Sequence, residues 1–413
     1  MTDTDTTAPG TETPEPQTAE SLSYPMRRAC PFSLPTEYAQ LRENEPAARV
    51  TLPTGKDAWL VTGYEDVRKL LNHADLSADR VRPGFPALLA GQGAIDRKGF
   101  LPWMDPPEHT LYRRMVVSEF TVRKVETLRP AVQATVDACL DRILAGPREL
   151  DLVPALALPV PSSVICELLG VPYEDREVFQ SRARLMTDRN TSGPDRLRSL
   201  TELRAYLREL VLARKTDPQP DLLSRLAVKY REAGVEDADH LTGMALLMLV
   251  AGHETTANMI SLGTAYLLSH PEVKATLSKD PTLIPKAVEE MLRYFSISDH
   301  ATGRVALADV EVAGVTVREG EGILLSNAAA NRDGRAFDRP EEFDVHRASP
   351  SHVAFGYGIH QCLGQNLARM ELDVVFGSLL ARLPDLALAA PLEELPFKHD
   401  TISYGLHELP VTW

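Results

Sequence analysis

The residues best suited to chemistry lie in Phe355-Gly356-Tyr357-Gly358-Ile359-His360-Gln361-Cys362-Leu363-Gly364, which leads into an amphipathic stretch from Leu363 to Leu383. Glycines in close succession reach backbone conformations closed to other residues and let a flat ligand approach the main chain. A cysteine at a helix start faces unpaired N–H groups and the positive end of the dipole, which stabilise its thiolate. A thiolate held in this way suits the proximal position on a haem iron. The commoner fate of a lone cysteine is a small buried hydrophobe. The full Phe-Gly-x-Gly-x-His-x-Cys-x-Gly pattern reverses that ranking.

Two further clusters carry charge into apolar surroundings. Ala251-Gly252-His253-Glu254-Thr255-Thr256 interrupts the apolar stretch Asp239 to Ser269, where charge and glycine both cost stability. One reading is a helix break in which Thr and Glu satisfy backbone groups. The other is a ligand-facing notch, with Gly252 removing bulk and Glu254 and Thr255 relaying protons. In Ala287-Val288-Glu289-Glu290-Met291-Leu292-Arg293, Glu290 and Arg293 share a helical face, and Glu289 reaches Arg293 equally well at i,i+4.

These residues need a scaffold, and the hydrophobic periodicity predicts one. Glu65–Leu71, Thr110–Phe120, Val125–Leu144, Pro161–Leu169 and Ser199–Arg214 read as amphipathic helices. Asp239–Ser269 is apolar on every side over about 30 residues, roughly 45 Å of helix, which predicts burial through the middle of the fold. Val50–Leu52 and Trp59–Thr62 around Pro53-Thr54-Gly55 predict a hairpin. The alternation from Arg304 to Val317, followed by Ile323–Leu325, predicts a second β region. The expected fold is mainly α with small peripheral β-sheets and a long buried central helix. We expect a disordered tail over residues 1–20 and one catalytic domain over 21–413. The tail holds no Lys, no Arg and no apolar stretch, so it reads as neither a secretory signal nor a transit peptide.

Composition narrows the function. The 413 residues carry 58 acidic and 44 basic side chains, a net charge of -14, which repels nucleic acid and anionic membrane. Cys30, Cys139, Cys166 and Cys362 show no CxxC pairing, excluding a disulfide scaffold and a local all-cysteine zinc or iron–sulfur site. The apolar run Met244–Gly252 is far short of the about 20 residues that span a bilayer. A cytoplasmic monomer is expected.

Three segments together resemble the cytochrome P-450 family of haem-thiolate monooxygenases: the Cys362 loop, Glu290-x-x-Arg293, and Ala251-Gly252-x-Glu254-Thr255-Thr256, in the family's order. The resemblance runs from about Pro31 to Trp413, and Asp105-Pro106-Pro107-Glu108-His109 looks like the soluble bacterial branch. It implies haem b with Cys362 as axial thiolate, and with Ala251, Gly252, Phe355, Gly356 and Gly364 against the cofactor. It implies that His109, Arg113, Arg304 and His360 hold the haem propionates. Thr255 would hydrogen-bond bound dioxygen and Glu254 would deliver protons. Glu290, Arg293 and Arg347 would be structural.

The same resemblance places the substrate. Phe85, Leu88 and Leu89 lie in a loop-like apolar region, Leu247 and Val250 on the long helix, Ile297, His300 and Ala301 after the Glu-Arg pair, and Ile402 and Ser403 in a C-terminal hairpin. The implied reaction is hydroxylation or epoxidation of a hydrophobic small molecule, in the tailoring of a polyketide, macrolide or terpenoid natural product. Within 413 residues no stretch remains for a flavin reductase, so NAD(P)H-derived electrons would arrive from a ferredoxin and its reductase. Arg113, Arg114 and Arg369 offer a basic patch for such an acidic partner. Two alternatives stand beside this reading. One is a haem-thiolate oxidase of an acyl or aminoacyl group tethered to a carrier protein. The other is a haem-based sensor or carrier, which has no need of Glu254 beside Thr255.

Overall fold

A computed structural model describes residues 22–28, 30–88, 98–187, 191–298, 301–348, 351–399 and 403–413. The tail expected at residues 1–20 lies outside the described residues, as do Leu89, His300 and Ile402.

Helices dominate, packed around Ala238–Ser269. Asp237 starts that helix by accepting the Asp239 N–H through its side chain, satisfying one orphan donor of the first turn. At the other end, Pro271 opens the following helix, Pro271–Lys279, and the residue before a proline is disfavoured in helical conformation. The 32 residues span about 48 Å. Neighbouring helices Pro159–Leu169, Gly193–Thr216 and Gln365–Arg382 pack against it, and Leu246, Leu249, Ile260 and Leu262 are almost wholly buried. It runs unbroken through Gly252-His253-Glu254-Thr255, so these residues interrupt the packing and not the helix.

The Val125–Leu144 helix of the sequence reading is two helices, Val122–Glu126 and Arg129–Ala145. Pro130 sits in the first turn of the second. Its ring and missing N–H are tolerated there and would break a continuous helix. The remaining predicted helices form, with ends shifted by a few residues: Tyr64–Leu71, Glu108–Val117, Pro159–Leu169 and Gly193–Thr216.

The predicted hairpin is Ala47–Thr51 against Asp57–Val61, antiparallel, with Gly55 at φ +74° in its turn. It belongs to a six-stranded sheet in the order Leu22–Ser23, Ala47–Thr51, Asp57–Val61, Gly322–Leu325, Thr302–Ala306, Leu76–Ser77. Val310–Val312 and Val315–Val317 form a separate hairpin. A three-stranded sheet joins Ala387–Leu388, Pro410–Thr412 and Glu149–Asp151. The six-stranded sheet presents Thr302, Gly303, Arg304 and Leu324 to the central cavity, so it shapes the site as well as flanking the helices.

Candidate active site

The Cys362 loop is folded by its own backbone. The Cys362 N–H donates to Phe355 O at 2.8 Å and the Gly356 N–H to Val353 O at 2.9 Å. Gly356 and Gly358 lie at φ +70° and +74°, a region that glycine enters without a Cβ penalty. A short turn, Gly358–His360, precedes Cys362, and the helix Gln365–Arg382 follows with Gly364 at its cap. Cys362 is deep in the protein yet reached from the cavity. Burial pushes its thiol up, opposed by N–H groups of Gly364 and Gln365 and by Arg113 and Arg369.

A buried ion cluster supports this loop from behind. Arg293 donates from Nε and Nη2 to the two carboxylate oxygens of Glu290, both at 2.8 Å. Arg347 Nε lies 3.1 and 3.2 Å from the same two oxygens. Arg293 also donates to Asn331 O and Pro340 O at 2.9 Å. Glu290, Arg293 and Arg347 therefore clamp residues 331–347 that feed the Cys362 loop. Glu289, the other candidate for Arg293, instead binds Arg369 and His352. Burial pushes Glu289 up, but bonds from His352 and Arg369 outweigh it and hold it at about 2. The Arg369 guanidinium lies 4.6 Å from the centre of the Phe355 ring. Arg369 thus braces the loop and is not free for a basic patch. Arg113 likewise donates to Gln361 O at 2.6 Å, while Arg114 is exposed.

Cys362 opens into a cavity with lobes of about 460 and 170 Å³. Both lobes share Ala251, Thr255, Thr256, Phe355, His360 and Cys362 in their walls. The larger adds Arg304, Gly356, Phe85, Leu88, Ile297 and Ala301. The smaller adds His109, Arg113, Leu247, Gly252 and Gly364. A Cβ on Gly252 would meet Ile165 Cδ1 at 3.6 Å, an ordinary contact, so the protein itself leaves room for more bulk there. Val250 and Glu254 line neither lobe. One residue is 100° of helix, and that step turns each away from the wall built by Ala251 and Thr255. The Glu254 carboxylate instead meets Lys398 Nζ at 3.1 Å. Ser403 is also off the wall; its carbonyl accepts from Asn258 Nδ2 at 3.1 Å.

Polar groups around the cavity are left wanting an anion. His109 is buried with neither ring nitrogen hydrogen-bonded, and His360 Nδ1 is likewise unpartnered. The two rings sit 4.2 Å apart. Burial, then Arg113 and Arg304, lower His109 to about 4; burial, Arg304 and His109 lower His360 to about 2. Arg304 is buried and donates to Gly303 O at 2.8 Å. Burial draws it down to about 10, with Asp105 opposing and Arg80 assisting. Arg80 was not singled out in the sequence. Its guanidinium lies 4.4 Å from the Trp103 ring centre and it makes no ion pair among the described residues. Burial lowers it to about 10. Buried cations and orphaned imidazoles are costly unless a partner arrives. A flat macrocycle with two carboxylates, lying over a thiolate, meets this donor set. Haem fits.

Three residues escaped the sequence reading. Arg80 lies in a polar stretch with no pattern of its own. Thr256 lines both lobes beside the threonine that was named. Glu371, wholly buried with Oε2 unpartnered, lines the smaller lobe. Its signal was present, since an acid among Leu367, Met370, Leu372 and Val375 breaks the apolar face of its helix.

The chain is similar in sequence and fold to known proteins. The cytochrome P450 family model matches residues 194–385. The chain is 46% identical to a vitamin D3 dihydroxylase of Streptomyces griseolus over 100% of both chains. It is 46% identical to a pentalenic acid synthase of Streptomyces avermitilis, over 98% of this chain and 100% of the relative. The crystal structure of cytochrome P450 MoxA from Nonomuraea recticatena superposes with a TM-score of 0.90 at 48% identity, covering 95% of this chain and 98% of that one.

Proposed function

The chain belongs to the cytochrome P450 family, and on that premise we propose which of its residues carry out haem-thiolate monooxygenation. It is a cytochrome P450 monooxygenase using haem b, with electrons from NAD(P)H through separate redox partners. Its substrate is a hydrophobic small molecule tailored as a natural product. The names of two relatives, a vitamin D3 dihydroxylase and a pentalenic acid synthase, favour a bulky, mainly apolar skeleton. When bound, the haem supplies dioxygen activation and insertion of one oxygen atom into that skeleton.

Cys362 Sγ would ligate the haem iron, with the Gly364 and Gln365 N–H groups aimed at the sulfur. Those two amides spread the thiolate charge and fix its position. Arg80, Arg304, His109, His360 and Arg113 would hold the haem carboxylates. Thr255 Oγ1 donates its proton to Ala251 O at 2.6 Å. Thr255 lines the cavity, where its hydroxyl oxygen can accept a hydrogen bond from a proton donor such as water. Phe85, Leu88, Leu247, Ile297 and Ala301 exclude water and orient the substrate. Residues 21–413 act as one catalytic domain, supported by a cavity wall drawn from segments between Leu71 and Leu372. Among the described residues no helix is long and apolar enough to cross a membrane. We propose a cytoplasmic location, where the four free cysteines would stay reduced, and a monomeric state.

The observation that carries this reading is Cys362 opening into a cavity bordered by Arg80, Arg304 and Arg113 and by the unpartnered imidazole nitrogens of His109 and His360. The test is the carbon monoxide difference spectrum of dithionite-reduced protein, compared with Cys362→Ala. A strongly red-shifted Soret band, lost in the variant, is expected. The same band in Cys362→Ala, or a band typical of histidine ligation in the wild type, overturns the assignment.

A further inference from the structure

Glu254 is adjacent to Thr255 in sequence, but its carboxylate leaves the cavity and is taken up by the C-terminal hairpin. Lys398 Nζ lies 3.1 Å from Glu254 Oε1 and 2.9 Å from Asn258 Oδ1. Glu254 and Asn258 are one helical turn apart, so one ammonium bridges two successive turns of the same face. Lys398 and Glu254 expose only 12% and 13% of their side chains, which screens the pair far less than a surface bridge.

The hairpin is seated on the helix by more than this pair. The Lys398 N–H donates to Gly405 O at 2.8 Å and closes the hairpin beside the Phe397–Leu406 bridge. Asn258 Nδ2 donates to Ser403 O at 3.1 Å. A Cβ on Gly405 would come within 2.3 Å of Asn258 Cγ, so hairpin backbone and helix side chain are in tight contact. The Tyr404 N–H then donates to Ile297 O at 2.8 Å, and Ile297 lines the larger lobe of the cavity. A continuous chain of contacts therefore joins the cavity wall, the hairpin, Lys398 and the acid.

We propose that Lys398 is a positioning residue for the reaction: it holds the Glu254 carboxyl outside the cavity and couples its proton exchange to the seating of the C-terminal hairpin. This rests on the reading of the site given above and adds to it the group that governs the acid. Burial pushes Glu254 up and Lys398 opposes it. Lys398 is the cation at hydrogen-bond distance from Glu254, with His253 beside it in the helix and His399 on the hairpin. An opposite charge at this distance lowers a carboxyl by about 1–3 pH units. Its loss leaves the carboxyl desolvated with no cation, and the proton bound more tightly.

The test follows the infrared carbonyl band of protonated Glu254, isolated as wild type minus Glu254→Gln, across pH in the holoenzyme. In Lys398→Met the midpoint is expected to rise by about one pH unit or more, a tenfold gain in proton affinity. Lys398→Arg keeps the wild-type midpoint. Gly405→Ala, which keeps the lysine in the sequence but drives the hairpin that carries it from Asn258, is expected to move the midpoint as Lys398→Met does. The pH profile of substrate-free NADPH oxidation, supported by a ferredoxin and its reductase, is expected to shift by the same amount. If the methionine variant does not fold, Lys398→Gln takes its place. A wild-type midpoint in the folded lysine variant overturns the proposal. A wild-type enzyme lacking the red-shifted carbon monoxide band would instead remove the underlying reading of the site, so the two failures are told apart.

Discussion

Replacing Glu371 by Gln should change how the stability of this protein depends on pH, and the size of the change follows from burial. Glu371 lies on the helix after Cys362, 3% exposed, with Oε2 unpartnered. Burial without a partner pushes its carboxyl from 4.5 up to about 8. The native state then keeps a proton that the unfolded chain releases. Since stability falls with pH wherever the native state binds more protons, it should drop through this whole interval, beginning near the unfolded value and ending near the native one. At 1.36 kcal/mol per pH unit the full loss is about 5 kcal/mol. Glutamine is nearly isosteric and does not titrate. Its amide brings a constant penalty of about 1–3 kcal/mol if its added donors stay unpaired, but that offset does not vary with pH. The assay is guanidinium unfolding of both proteins at several pH values between about 5 and 8, where linkage predicts a steeper decline for the wild type. Parallel curves would mean that native Glu371 is ionised at neutral pH and would refute the argument.

Other residues give distinct expectations. Arg304→Gln removes a buried cation from the cavity and should weaken haem retention about 10- to 100-fold, the worth of a charged hydrogen bond; transfer of haem to apomyoglobin measures it, and an unchanged rate excludes Arg304 as a propionate contact. Glu290→Gln leaves Arg293 and Arg347 without their counter-ion and should cost about 3–5 kcal/mol. A denaturation midpoint equal to wild type would show that the backbone carbonyls around Arg293 suffice. Thr255→Ala should keep the carbon monoxide spectrum and uncouple NAD(P)H consumption from product. Equal product per reductant in that variant removes the proton-passing role.

What the sequence revealed, and what it concealed, follows from the length scale of each signal. Cys362 and its glycines were legible because their geometry is local: positive φ at Gly356 and Gly358 is a requirement of the loop itself. Glu290 and Arg293 were placed on one face by helix geometry alone, yet the choice between Glu289 and Glu290 needed Arg369 and His352 from other segments. Orientation on the long helix was the weakest inference. Leu247, Ala251 and Thr255 reach the cavity, while Val250 and Glu254 do not, and 100° per residue separates the two sets. An all-round apolar helix has no polar face to fix its phase. Arg80 was hidden for another reason, since its isolation from carboxylates is visible only in three dimensions.

The disposition of charge around the cavity explains why these particular residues had to be found together. Arg80, Arg304 and Arg113 border it as cations, and Glu254 and Glu371 are both kept from neutralising them. Glu254 is drawn off by Lys398, and Glu371 is held in its neutral form by burial. An ionised carboxylate at either position would compete for the arginines and repel a thiolate at Cys362. The protein thus keeps a positive field open for anionic partners, one a sulfur of its own and the other two the carboxylates of the cofactor. Lys398 and the burial of Glu371 accordingly bear on the charge around the cavity that Cys362 opens into, Glu371 from its wall and Lys398 from outside it.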